Sequence, residues 1–175
     1  IGSAYHDIGE EQKSINSFLK ALEIDPLQAK AYFNLGVVFD DSEQYQKAID
    51  AYDQALKIEP VYIDALYNQA ITLKTVGKFS KSESNLRKCL EANSNHQDAN
   101  NALALVLLKK GDVESSIKFC TERLELQPND ALTLNNLGLA HKQNGDLDKA
   151  KHTFYSALEI NPLFAEAHCN LSTIN

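Results

Sequence analysis

The chain has 175 residues, 43% hydrophobic and 23% charged, a globular balance that excludes a disordered segment. Its formal charge of −7, from 17 Lys and Arg against 24 Asp and Glu that alternate instead of forming blocks, argues against nucleic acid as a partner. Affinity for a phosphate backbone depends on clustered cations.

The four prolines, Pro26, Pro60, Pro128 and Pro162, stand 34, 68 and 34 residues apart and close related stretches: ALEIDP, ALKIEP, LELQP and ALEINP. Ser94 occupies the missing place. A fixed period of this size predicts one supersecondary unit used repeatedly. In chain order, residues 1–28 form a partial unit with Gly2, Tyr5, Gly9, Ser14, Phe18, Ala21 and Leu22. Residues 29–62 carry Gly36, Phe39, Glu43, Tyr45, Ala48, Tyr52 and Ala55 in the same register, and residues 63–96 carry Ala70, Leu73, Gly77, Phe79, Ser82, Leu86 and Cys89. Residues 97–130 follow with Ala104, Leu107, Gly111, Val113, Ser116, Cys120 and Arg123, and residues 131–164 with Gly138, His141, Gly145, Leu147, Ala150, Phe154 and Ala157. Residues 165–175 begin a further unit, with Ser172 in the small column. Ile1 and Asn175 each fall within a first helix, so the chain reads as cut from a longer array.

In each half-unit the apolar places recur at three and four residues, which predicts two amphipathic helices per unit. The glycine column supplies a helix stop at positive φ, and the Asp of Gly111-Asp112 and Gly145-Asp146 can cap the helix that follows. Proline ends the second helix because it lacks an N–H and clashes with the preceding turn. The small column marks where paired antiparallel helices approach closely. At Ser94 the turn is no longer fixed by a ring. Ser82, Ser116 and Arg123 depart from alanine nearby, so a softer joint is expected between the third and fourth units.

This pattern resembles the tetratricopeptide repeat, most fully in Tyr32, Leu35, Gly36, Phe39, Ala48, Tyr52, Ala55 and Pro60, and in Leu134, Leu137, Gly138, Ala150, Phe154, Ala157 and Pro162. The resemblance covers the whole chain and implies an all-α, right-handed solenoid of stacked antiparallel helix pairs. It also implies that the first helix of each pair lines a groove holding an extended or helical segment of a partner protein. Two places before the small column stand Asn34, Asn68, Ala102, Asn136 and Asn170, and just before them Phe33, Tyr67, Asn101, Asn135 and Cys169. An Asn amide offers one acceptor and two donors, matching a peptide backbone, so such a ladder can hold a chain without reading its sequence. Similar ladders belong to the repeat arm of the O-linked N-acetylglucosamine transferases. Asn100-Asn101 sits one place earlier than Asn135-Asn136, which turns its side chains by about 100°. One place after the small column run Val37, Ile71, Leu105 and Leu139, an aliphatic strip that supplies buried area and side-chain preference.

The Lys, Arg and Asn clamp that some family members use for chaperone C-terminal tails is missing, since Phe33, Val37 and Asp64 stand where it would be. A chaperone tail is therefore disfavoured, and a protein or peptide partner is expected. Self-association through the array ends is a further expectation. No apolar run approaches the ~18 residues of a membrane span, because ALALVLL at 102–108 meets Lys109 and Lys110. His6, His96, His141, His152 and His168 have no metal-binding spacing, and no phosphate-cradling glycine loop exists, so neither metal nor cofactor is expected. Cys89, Cys120 and Cys169 lie far apart without a CxxC and no secretory leader opens the chain. The expected setting is accordingly reducing, intracellular and cytoplasmic. The sequence thus favours an interaction scaffold without catalysis, with the substrate-docking arm of a larger enzyme such as a glycosyltransferase as the rival.

Overall fold

In the computed structural model, which describes residues 2–7 and 9–174, eleven helices and no strand occur among the described residues. Ile1 and Asn175, where the sequence places the middle of two first helices, lie outside them. The chain divides into two compact units, residues 1–96 and 97–175. The first contains α1 (Gly2–Asp7), α2 (Glu11–Ile24), α3 (Ala29–Asp41), α4 (Tyr45–Ile58), α5 (Ile63–Thr75) and α6 (Phe79–Ala92). The second contains α7 (Gln97–Lys110), α8 (Val113–Leu126), α9 (Ala131–Gln143), α10 (Leu147–Ile160) and α11 (Ala165–Ser172).

Odd and even helices pair, α1 with α2, α3 with α4 and α5 with α6 in one unit, α7 with α8 and α9 with α10 in the other, and within each unit neighbouring pairs pack through α2 on α3, α4 on α5 and α8 on α9. The small column is the point of contact. A Cβ built on Gly138 would lie 2.5 Å from the Phe154 ring, one on Gly2 would lie 2.6 Å from Phe18, and one on Gly36 would collide with Tyr52. Where the column holds Ala70 or Ala104, the residue 16 places on is the smaller Leu86 or Cys120, and all four are buried. Ala70 with Leu86 thus conserves the volume of a glycine with an aromatic ring, while Ala104 with Cys120 is the smaller combination. Ser14, Ser82 and Ser116 reinforce the seam, their hydroxyls donating to the carbonyls of Gly2, Ala70 and Ala104 at 2.9, 2.6 and 3.0 Å. Ser82 and Ser116, which read as departures from alanine, therefore tie the second helix of their pairs to the first, as Ser14 does in its own.

The turns inside the pairs share one geometry. At Gly145, φ is 87°, its N–H bonds the Lys142 carbonyl at 3.1 Å, and the Asp146 N–H bonds the His141 carbonyl at 2.9 Å. Glu43 adopts the same left-handed conformation, φ 59°, with its N–H on Asp40 and that of Gln44 on Phe39, so the turn is kept without glycine. Asp112 caps α8 by accepting from the Ser115 N–H at 3.3 Å. Asp146 makes no such cap: its carboxylate instead accepts from the Asn144 amide at 2.9 Å and meets Lys149 at 3.6 Å. Asp130, not singled out in sequence, caps α9 through the Leu132 and Thr133 N–H groups at 3.0 and 3.3 Å.

Helix α6 stops at Ala92 although Ser94 replaces proline, in the register at which α4 and α10 stop before Pro60 and Pro162. Asn93 supplies the stop, its Oδ1 accepting from the Asn95 N–H at 3.2 Å. Asp25 and Asn161 make the same turn before Pro26 and Pro162, at 3.1 and 3.2 Å.

His141 occupies a core column otherwise filled by Tyr5, Phe39, Leu73 and Leu107. Its Nδ1 is buried with no hydrogen-bond partner among the described residues, and Asp146 lies 3.8 Å away. Burial first, then the Lys149 charge, hold the imidazole below its ordinary value of 6.5, against the pull of Asp146. A proton taken up by the unfolded chain near pH 6.5 is then resisted by the folded one, so stability is full above that value and falls as pH drops through the depressed one. The unfolding midpoint should decline from pH 7.5 to 5.5 more steeply in the wild-type chain than in His141→Leu; parallel slopes would remove His141 as the cause. At the seam, Gly138→Ala should cost about 1–3 kcal/mol. Adding Phe154→Leu, which recreates the Ala70–Leu86 pair, should cost less than the sum of the two single changes by about 0.5 kcal/mol or more in urea titrations.

Candidate functional site

The first helices approach one another directly, α3 with α5 in one unit and α7 with α9 and α9 with α11 in the other; no comparable contact joins α4 to α6 or α8 to α10. Within each unit the first helices therefore line the inner side of the stack. Because Gly36, Ala70, Ala104 and Gly138 face the second helix, the residue after each is turned about 100° away from that seam. Val37, Ile71, Leu105 and Leu139 stand there, each half-buried.

Leu105 and Leu139 come together. With Leu108 they floor a depression of about 410 Å³, completed by Lys109, Lys142 and Gln143 from the last turns of α7 and α9. The Lys142 Nζ donates to the Thr173 hydroxyl at 2.6 Å, and the Gln143 amide donates to the Leu108 carbonyl at 3.2 Å. Neither Lys109 nor Lys142 has a carboxylate in ion-pair range among the described residues. Sequence reasoning found Leu105 and Leu139 but missed the other four residues, which lie in columns outside the repeat signature.

The asparagines divide into two groups. In the second unit Asn136 donates through Nδ2 to the Asn101 Oδ1 at 2.5 Å, and Asn170 donates to the Asn135 Oδ1 at 3.0 Å. Asn135 and Asn136 are only 4% and 2% exposed, so their amides join neighbouring first helices. The bonded partners are 35 residues apart, not 34, because each Asn meets the one diagonally across from it. The one-place offset of Asn101 is what brings it opposite Asn136. In the first unit that diagonal starts from aromatics. Phe33 packs on Tyr52 and Tyr62, with ring centroids 6.0 and 5.0 Å away, and Tyr67 lies 5.0 Å from the His96 ring. Burial, then the charge of Asp40, push the ionisation of the Tyr52 hydroxyl up, opposed by the neighbouring Asn68 amide. Asn34 is half-buried, with no side-chain hydrogen bond among the described residues.

At the last turn of α3 the chemistry is acidic. Burial pushes the Asp40 carboxyl up, opposed by the Thr72 hydroxyl donating to it at 3.0 Å and assisted by Asp41. Asp41 in turn meets the His6 Nε2 at 2.8 Å. No group of three or more His, Cys, Asp or Glu suited to a metal occurs among the described residues. Burial pushes the Cys120 thiol up to about 12 and raises Cys89, so both are held as unreactive thiols; Cys169 is exposed. No helix among the described residues is long and apolar enough to cross a membrane.

Three family models match, each of the tetratricopeptide repeat: one over residues 29–62 and 131–164, a second over 2–40 and a third over 67–131. Among solved structures the chain is similar to YrrB, a TPR protein with an unusual peptide-binding site, at 23% identity and TM-score 0.83, over 96% of this chain and 87% of that one. It is also similar to MamA, at 22% identity and TM-score 0.83 over 93% and 95% of the two chains. A tetratricopeptide repeat protein from Parabacteroides merdae is 19% identical, with TM-score 0.89 over 99% of this chain and 69% of that one. At these identities the likeness is one of fold. No curated relative matches the sequence.

Asn136→Ala should destabilise the second unit by about 1 kcal/mol, because it removes the buried amide that donates to the half-buried Asn101 side-chain carbonyl. Asn101→Ala with Asn136→Ala should cost less than the two single changes added, read as a double-mutant cycle in urea; strict additivity would mean that the amides do not act on each other.

Proposed function

The chain belongs to the tetratricopeptide repeat family, and on that footing we propose that it is a protein-interaction scaffold whose first helices hold an extended or helical segment of a partner protein. The unit boundaries at 28, 62, 96, 130 and 164 are taken as those of one array. The observation that carries the proposal is the half-buried aliphatic strip on the inner side of both units, Val37 and Ile71 in one and Leu105 and Leu139 in the other. Such side chains, neither sealed in the core nor fully solvated, gain about 25 cal/mol for each Å² of apolar surface a ligand covers.

The polar part of the groove is assigned residue by residue. Asn34 and Asn68 are the amides proposed to bond a partner backbone. Asn101, Asn135, Asn136 and Asn170 are proposed to hold neighbouring first helices at a fixed spacing, since each spends part of its capacity on another asparagine. Phe33 and Tyr67 support the groove from the sides through their contacts with Tyr52, Tyr62 and His96. Nothing in this arrangement offers a nucleophile beside a base, so the proposed role is binding without catalysis.

The test uses a partner captured on the full chain and confirmed with purified components. Val37→Lys with Ile71→Lys, or Leu105→Lys with Leu139→Lys, should weaken its binding at least tenfold with helical content unchanged by circular dichroism. Unchanged affinity in both variants, with loss instead on substitution of Ile24, Leu27 and Leu163, exposed apolar residues at the turns between pairs, would move the interface out of the groove.

A further inference from the structure

We propose that the depression at the last turns of α7 and α9 is a subsite for an acidic-apolar peptide segment. One bulky apolar side chain of the partner sits on Leu105, Leu108 and Leu139, and neighbouring carboxylates meet Lys109 and Lys142. The proposal rests on the groove function above and adds to it the class of sequence that is read.

Charge complementarity selects the occupant. In a chain of net charge −7, an acidic partner is repelled by most of the surface, so a place where two ammonium groups rim an apolar floor is where it gains. Both lysines are available. Lys109 is exposed, and Lys142 is oriented by a single bond to the Thr173 hydroxyl, which uses one of its three donors. Neither is neutralised by a carboxylate among the described residues. The Gln143 amide, bonded to the Leu108 carbonyl, pins the wall between the two helices. An occupant must therefore bring both features, because an apolar residue alone leaves the ammonium groups unanswered and a carboxylate alone leaves the leucines wet. The α3 and α5 equivalents do not repeat this chemistry: Asp40 and Asp41 stand there with Lys74, and the aspartates are engaged by Thr72 and His6. The reading is thus local to the second unit.

Panning the full chain against a random decapeptide display library tests the inference. The enriched peptides are then synthesised and titrated calorimetrically. They should place Asp or Glu within two residues of Leu, Ile or Phe, and Lys109→Glu with Lys142→Glu should weaken them at least tenfold. Peptides in which those acids are replaced by Lys should regain affinity for the reversed variant, an outcome that a misfolded variant could not give. Enriched peptides without an acidic flank, or acidic ones bound equally by the reversed variant, overturn the inference; the groove itself survives if Leu105→Lys with Leu139→Lys still abolishes binding. Peptides bound as well by that leucine variant as by the original chain would sink the groove function too. So would a failure to enrich any sequence.

Discussion

The structure depends on one close approach, that of the first helix of each pair to the ring or side chain 16 residues further on. Gly36 beneath Tyr52 and Gly138 beneath Phe154 leave no room for a methyl group, and Ala70 with Leu86 reaches the same spacing with the volume moved across the seam. Since successive residues on a helix are about 100° apart, fixing which residue faces the seam also fixes which one faces away from it. Val37, Ile71, Leu105 and Leu139 owe their place on the inner side to their neighbours' need to be small. The groove is therefore a by-product of helix packing, and its register cannot drift without breaking the pairs.

Polar satisfaction then decides what the asparagines can do. An amide buried as deeply as that of Asn136 must be bonded within the protein, and it is, to Asn101. Where the diagonal neighbour is aromatic, as Phe33 is to Asn68, the first-helix asparagine has no amide across from it to bond. One residue type at one repeat position thus serves two ends, and the residue one place earlier in the preceding unit decides which.

Much of this was legible in the sequence. Five helix pairs follow from the spacing of prolines, glycines and apolar residues, because those columns are imposed by the backbone. Two details were not. Aligning units at 34 residues sets equivalent positions in line, whereas the asparagines meet across a diagonal of 35, so the bonded pairs Asn101–Asn136 and Asn135–Asn170 stay hidden in the aligned columns. Capping was misjudged at Asp146, because Asn144 and Lys149 engage the carboxylate that would have capped the helix, whereas Asp112 accepts from the Ser115 N–H. At Ser94 the absence of proline proved harmless to the helix end, since Asn93 folds its side chain onto the turn. The chain nonetheless divides into its two compact units after His96, within that same connection.

The residues that identify the family are those least able to give it a partner. Gly138, Phe154, Ala150 and Ala157 are buried, so a ligand never meets them, and any change there is a change in stability. On the proposed function, discrimination comes from side chains that the packing leaves free to vary, and the last turn of the first helices supplies some of them. There the repeats diverge: His6, Asp40, Lys74, Leu108 and Lys142 share one register, and Asp41, Thr75, Lys109 and Gln143 the next. Averaging the units erases this variation, and so a search for periodicity recovers the fold and discards the specificity. The basic rim over Leu105, Leu108 and Leu139 is not repeated on α3 and α5, because it is built from residues the repeat leaves free to differ.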